Sequence, residues 1–196
     1  LIMGSRSSLR PVQAASYLDA GYTIVAIDYR LAPQAKLPQI LEDLDEAYRW
    51  VCVDGPKQFG VDPSRIAVVG HSAGGDLALM AGFRLNPRPA AVVSFYGYGD
   101  IPAEGYSRPD PFYNRQPAVT TEEAYRCIGT GVVSADQAGG RWPFYLYTRQ
   151  RGLWPIAVGG HDPDQEPRAF DPFCPLRNVT QEYPPTYLLH GDNDTD

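Results

Sequence analysis

The stretch Val68–Gly82, VVGHSAGGDLALMAG, constrains this chain more than any other. A serine stands between glycines, directly after an apolar run that reads as a strand and directly before one that reads as a helix. A chain passes from a buried strand into a helix within one residue only through a sharp turn. Such a turn holds its apex residue in a strained backbone conformation, with the side chain projecting above the sheet. Gly70-His71-Ser72-Ala73-Gly74 has the G-x-S-x-G spacing of that elbow. Glycines two positions either side are expected to keep Cβ atoms out of the crowded turn. The following helix would aim its unpaired N–H groups and positive dipole end at the apex. Ala73 N–H is therefore the expected donor to any oxyanion formed there. A serine hydroxyl is a weak nucleophile until a base takes its proton, so the motif calls for a histidine and a carboxylate from elsewhere.

The segments around the elbow set the fold class. Ser8–Ala20 reads as a helix, with a proline near its start and Gly21 past its end. Tyr22–Tyr29 is β-branched and apolar on both faces, the pattern of a buried strand. Ile40–Val53 puts Leu41, Leu44, Ala47, Tyr48 and Val51 on one helical face. Arg65–His71 reads as a second buried strand, Ala73–Leu85 as a helix and Ala90–Gly97 as a third strand. Strands alternating with helices at short spacing imply right-handed crossovers and a parallel sheet, an α/β fold.

From Gly99 the alternation stops. Residues up to Tyr183 are rich in Pro, Gly and aromatics, with helical signal only over Thr121–Cys127 and Ala135–Arg151. The run TYLLHGD then returns to a strand at Thr186. The expected division is a sheet core over 1–98 and 184–196, with 99–183 inserted as a lid over the carboxyl edge of the sheet. Tyr98, Tyr106, Trp142 and Trp154 are the candidate pocket residues. Phe112, Tyr113, Phe144, Tyr145 and Tyr147 are further lid aromatics that would line a pocket or form a small core beneath it.

Asp194 follows the last strand on the edge where Ser72 emerges, which makes it the candidate acid. Asp192 and Asp196 are its rivals in the same turn. His71 is expected to face away from the serine, and His190 to be a buried, hydrogen-bonded histidine at a strand end. His161 precedes Asp194 and breaks the Ser–Asp–His order along the chain. Arg30 is expected to pair with a carboxylate near the elbow, Asp43 and Asp45 to be charges on the surface or packing face of a helix, and Asp76 to suit the dipole of the elbow helix.

Composition narrows the classes. Hydrophobic residues make up 43 % of 196 residues, enough for a sizeable core. The net charge is −6 with no basic cluster, which argues against nucleic acid as a partner. No apolar run reaches the length of a membrane span. The three cysteines, Cys52, Cys127 and Cys174, are too scattered for a disulfide framework or a metal site and are expected to be buried or half-buried thiols. They suit a reducing, cytoplasmic setting. No metal or cofactor is called for, and the oligomeric state is open.

Three motifs in order, DYRLAP (Asp28–Pro33), GHSAGGDLAL (Gly70–Leu79) and PPTYLLHGDNDTD (Pro184–Asp196), resemble the α/β-hydrolase esterases of the hormone-sensitive-lipase-like type. The resemblance covers the chain outside the lid. It implies an α/β-hydrolase fold, with a mostly parallel sheet, flanking helices and an inserted lid before the last strand. It further implies a serine carboxylic-ester hydrolase acting through an acyl-enzyme on small or medium esters, with Ser72 as nucleophile, Ala73 as oxyanion donor and Asp194 as acid. A serine peptidase, a carbohydrate deacetylase and a non-catalytic binding protein on the same scaffold are the alternatives.

The family also carries an HGGG run before a phrase like LIMGS, and a catalytic histidine after the acid. The 196 residues contain neither in those places, so both ends read as cut and the chain by itself is expected to be inactive. A slot or rearranged edge is expected between Tyr22–Tyr29 and Arg65–His71.

Overall fold

The computed structural model describes residues 1–136 and 139–194. Its sheet has three parallel strands in the order β1-β2-β3: β1 Ala67–His71, β2 Ala91–Phe95 and β3 Thr186–Leu189. The helix α4, Ala73–Arg84, leaves β1 with Ser72 as the only intervening residue and packs against β1 and β2. Before the sheet come α1 (Pro11–Asp19), α2 (Leu37–Val53) and α3 (Gly55–Phe59). Between β2 and β3 lie α5 (Glu104–Ser107), α6 (Thr121–Ile128), α7 (Trp142–Arg151), α8 (Trp154–Gly159) and α9 (Pro175–Asn178).

Local rules account for most of these boundaries. α2 opens with Pro38 in its first turn, where no N–H is needed. α6 carries a reciprocal capping box, with Thr120 Oγ1 accepting from Glu123 N–H and the Glu123 carboxylate accepting from Thr120 N–H. α7 ends at Gly152, whose φ of 68° places it in the left-handed region that closes a helix. The helix expected over Ala135–Arg151 starts only at Trp142, because Gly139 and Gly140 precede it.

Tyr22–Tyr29 departs from expectation. It forms no ladder, and none of its residues is buried; Tyr22 is 61 % and Val25 41 % exposed. β-propensity reports how well side chains fit a pleated, half-buried surface, and no neighbouring strand provides one here. Among the described residues no strand pairs with β1 on the side away from β2. The other strands are also less buried than their composition suggests. β2 alternates buried and half-buried residues, β1 is exposed at Ala67, Val69 and His71, and all four residues of β3 are exposed. α4 covers one face of the sheet, and the core lies on that side.

That core is one cluster. Leu77, Met80 and Ala81 of α4 meet Leu37, Ile40, Leu41 and Leu44 of α2, and Ile101, Phe144, Trp154, Val158 and Phe170 from residues 99–183 join them. Arg30 pairs with Asp43 at 2.8 Å and with Glu42 at 3.1 Å, so its partners sit on α2 rather than beside the elbow. Asp45 instead bridges to Arg84 of α4 at 2.6 Å, tying the two core helices together. The thiols are free, with Cys174 buried and Cys52 and Cys127 half-buried. Among the described residues no helix is long and apolar enough to cross a membrane.

Candidate active site

Ser72 is the N-cap of α4, with φ 51° and ψ −119°. Serine at this position ordinarily turns its hydroxyl back onto the helix N–H groups. Here the positive φ prevents that, and the side chain makes no capping bond. Both the exposed hydroxyl and the first N–H groups of α4, Ala73 among them, are thereby left for something above the sheet. Ser72 N–H donates to the Phe95 carbonyl at 2.9 Å, which pins the apex to the end of β2.

The glycines do unequal work. A Cβ on Gly70 would lie 1.8 Å from the Gly74 carbonyl oxygen, so no side chain fits there. A Cβ on Gly74 would meet nothing within 4 Å, contrary to the crowding expected of it. The second crowded position is Gly75, where a Cβ would come within 2.8 Å of Gly97 Cα and Ser94 Oγ. Gly75 lets α4 lie flat against the end of β2, while Gly74 leaves open space.

Ser72, Ala73, Gly74, His71 and Asp194 all line one cavity of about 460 Å³. Tyr98, Tyr106, Trp142 and Trp154 line it too, as do the further lid aromatics Tyr113 and Tyr145, and Arg149, which the sequence reading did not single out. Of the other lid aromatics, Phe144 and Tyr147 belong to the core and Phe112 is exposed. Tyr106 and Trp154 belong to both, lining the cavity while only 7 % and 2 % exposed.

Each histidine has a partner other than the serine. His71 stacks on Phe95 with ring centroids 4.6 Å apart, and its two nitrogens face the Gln13 amide at 2.7 Å and the Tyr96 hydroxyl at 3.1 Å. Burial, with Arg10 nearby, lowers its pKa, so it is neutral at pH 7. His190 is exposed rather than buried, because β3 has no cover at that end. Its Nε2 lies 3.4 Å from Asp194 Oδ2. His161 faces Glu166 at 3.1 Å and is not among the cavity residues. Asp194 sits in the turn after β3, its N–H bonded to Gly191 O at 3.2 Å. Asp192 bonds the Asn193 amide, and Asp196 lies outside the described residues.

Asp76 departs from the dipole role expected of a first-turn carboxylate. It is fully buried, and among the described residues neither carboxyl oxygen has a hydrogen-bond partner. Burial pushes its pKa well above the ordinary carboxylate range.

A family profile for the α/β-hydrolase fold matches residues 1–160. The chain belongs to the α/β-hydrolase family. Among curated relatives, this α/β hydrolase is 28 % identical over 222 aligned residues to the non-reducing polyketide synthase Preu6 of Preussia isomera, an alignment that covers 97 % of the chain and 10 % of the synthase. It is 47 % identical over 60 residues to the ethyl acetate hydrolase of Pseudomonas putida, covering 31 % of the chain and 19 % of that enzyme. Among solved structures, an α/β-hydrolase superfamily protein of Enterococcus faecalis superposes with a TM-score of 0.68 at 25 % identity, covering 94 % of this chain and 64 % of the other. The chain spans about a tenth of the length of the polyketide synthases it matches.

Tyr96 and Arg149, which line the cavity, and Gln13, which bonds the lining His71, are among the residues that sequence reasoning missed. Gln13 and Tyr96 carry no motif signal. Arg149 carried a faint one, a charge inside the aromatic run WPFYLYTRQ.

Proposed function

We propose that this α/β hydrolase contributes the nucleophile of a serine carboxylic-ester hydrolase. The observation that carries the reading is the Ser72 backbone, held at φ 51° with its hydroxyl turned away from capping and onto the cavity. In the proposed reaction Ser72 Oγ bonds to the ester carbonyl carbon while a base accepts its proton. Negative charge grows on the carbonyl oxygen, where Ala73 N–H and the N-terminal end of α4 stabilise it. The carbon–oxygen bond to the alcohol breaks, and the proton passes to the departing alkoxide. Water then cleaves the acyl-enzyme, releasing the acid and restoring Ser72. Asp194 is the proposed acid partner of the base. No role as base is assigned to His71, His161 or His190, which pair with Gln13 and Tyr96, with Glu166 and with Asp194 respectively.

The test is covalent labelling with a fluorophosphonate, read by mass spectrometry in the protein that carries this chain. Labelling confined to Ser72 and abolished in Ser72→Ala supports the reading. Labelling elsewhere, or none, sinks it.

A second reading rests on the alignments with polyketide synthases, which run over nearly the whole chain. The same serine attack suits a thioester carbonyl, with a thiol rather than an alcohol as leaving group. Comparison of kcat/KM on matched acyl esters and acyl thioesters separates the two.

A further inference from the structure

Among the described residues two other than glycine have a positive φ, Ser72 at 51° and Tyr96 at 41°. Both line the same cavity. A bulky residue is held in that region only against strain, and such strain collects at functional sites. The elbow accounts for Ser72, but it makes no demand on Tyr96. The ladder sets the two side by side. His71 pairs with Phe95, so Ser72 and Tyr96 are the next residues along β1 and β2, in chains about 4.8 Å apart. Ser72 N–H donates to Phe95 O, and Tyr96 N–H donates to Leu189 O of β3. Tyr96 thus stands between the nucleophile and the turn that carries Asp194.

A chain of hydrogen bonds holds the Tyr96 hydroxyl. The Gln13 amide nitrogen lies 2.7 Å from His71 Nε2 and also donates to Tyr17 Oη at 3.5 Å. An amide nitrogen only donates, so Nε2 accepts. The imidazole, neutral at pH 7, then carries its hydrogen on Nδ1. Nδ1–H donates to Tyr96 Oη at 3.1 Å. The hydroxyl keeps its own hydrogen, which no group among the described residues accepts.

We propose, on the basis of the esterase reading above, that Tyr96 is a specificity-determining residue whose hydroxyl donates to an acceptor oxygen in the alcohol portion of the ester. The sheet order β1-β2-β3 supports the alcohol side. A base that serves Ser72 and is oriented by Asp194 has to sit over the end of β2, and it hands its proton to the departing alkoxide. The alcohol therefore leaves past Tyr96. The aliphatic lining of the cavity, Leu1, Ile2, Met3, Ile27 and Leu31, comes instead from segments before β1. A substrate oxygen set against Tyr96 replaces the water that solvates its O–H. A methylene at the same place displaces that water and leaves the donor unpaired.

Two measurements on the protein that carries this chain test this. In the first, kcat/KM is compared for 2-methoxyethyl acetate and butyl acetate, each divided by its own rate of alkaline hydrolysis. The two alcohols differ by one oxygen in place of one methylene, and the acyl group is shared. The expected ratio is about threefold or more in favour of the ether, the worth of one neutral hydrogen bond, and Tyr96→Phe should bring it to about one. Tyr96 is 42 % exposed, and the phenyl ring keeps its contact with His71, so the variant removes the hydroxyl alone. A ratio near one in the unaltered protein, or one that Tyr96→Phe leaves in place, overturns the proposal. p-Nitrophenyl methoxyacetate and p-nitrophenyl butyrate carry the same exchange on the acyl side. A Tyr96-dependent preference in that pair instead of the first overturns the assignment to the alcohol. The second measurement is binding of 2-methoxyethyl butyrate and butyl butyrate to Ser72→Ala, followed by NMR titration. Tighter binding of the ether by about threefold, lost in Ser72→Ala/Tyr96→Phe, supports the proposal. Equal affinities, or no binding, overturn it. Fluorophosphonate labelling decides the esterase reading separately, since this binding does not need the nucleophile.

Discussion

The two ends of the candidate site are built in opposite ways. At the end of β1, Ser72 stands on a packed turn. Gly70 has no room for a Cβ, Gly75 almost touches Gly97, and the apex N–H is tied to β2. At the end of β3, Asp194 stands on an exposed strand and a short turn, with the exposed His190 as its neighbour. The nucleophile end is fixed by close packing, which tolerates few changes. The acid end is held by local hydrogen bonds at the surface, where chain geometry is easier to move. The same sheet edge therefore carries one preorganised residue and one adjustable residue.

Breaking each end separately sharpens that contrast. In the protein that carries this chain, Ser72→Ala should lower kcat by about 10⁶ with an unchanged melting temperature, because it deletes chemistry without touching packing. Activity within tenfold of the unaltered protein would refute the assignment. In the same complete protein, Asp194→Asn should cost about 10⁴ in kcat, again with little change in stability, as expected when an acid only orients and stabilises its base. A large fall in denaturation midpoint would show instead that the turn after β3 is structural.

Packing changes come next. Gly70→Ala should destabilise by about 3 kcal/mol or more, since backbone rather than a flexible side chain meets the new methyl. Gly74→Ala should change stability by less than about 1 kcal/mol, the order of the helix-propensity difference between the two residues. Urea unfolding of the pair measures the difference directly. Similar midpoints would mean that the elbow is looser than its geometry indicates.

The smallest effect concerns Asp76 below the elbow. Its folded pKa is raised by burial, so the folded state holds a proton that the unfolded state releases near pH 3.8. Its contribution is most favourable below that pH and is lost as pH rises towards the folded value. Asp76→Asn removes this dependence. The melting temperature of the unaltered protein should therefore fall relative to the variant between pH 5 and pH 8. Parallel curves would show that the carboxyl is ionised in the fold.

The amino-acid order alone determined the elbow. A strand, one serine and a helix with glycines at local spacing leave few backbone solutions, and these depend on residues at most a few positions apart. The helices α2, α4 and α6 were legible for the same reason, in periodicity and capping. Tertiary structure decided the features that depend on partners distant in the chain. Tyr22–Tyr29 has the composition of a buried strand, yet a ladder needs a neighbour, and its own side chains cannot provide one. β3 reads as buried but lies exposed, because cover comes from other elements. Arg149 and Asp110, 39 residues apart, became a buried pair only when α7 folded over the segment after β2. The same packing joined Tyr98, at the end of the sheet segment, to Tyr106 and Trp154 of the insertion. Local spacing encodes a turn; a cavity wall is a sum of long-range contacts, each set by what the rest of the chain leaves beside it.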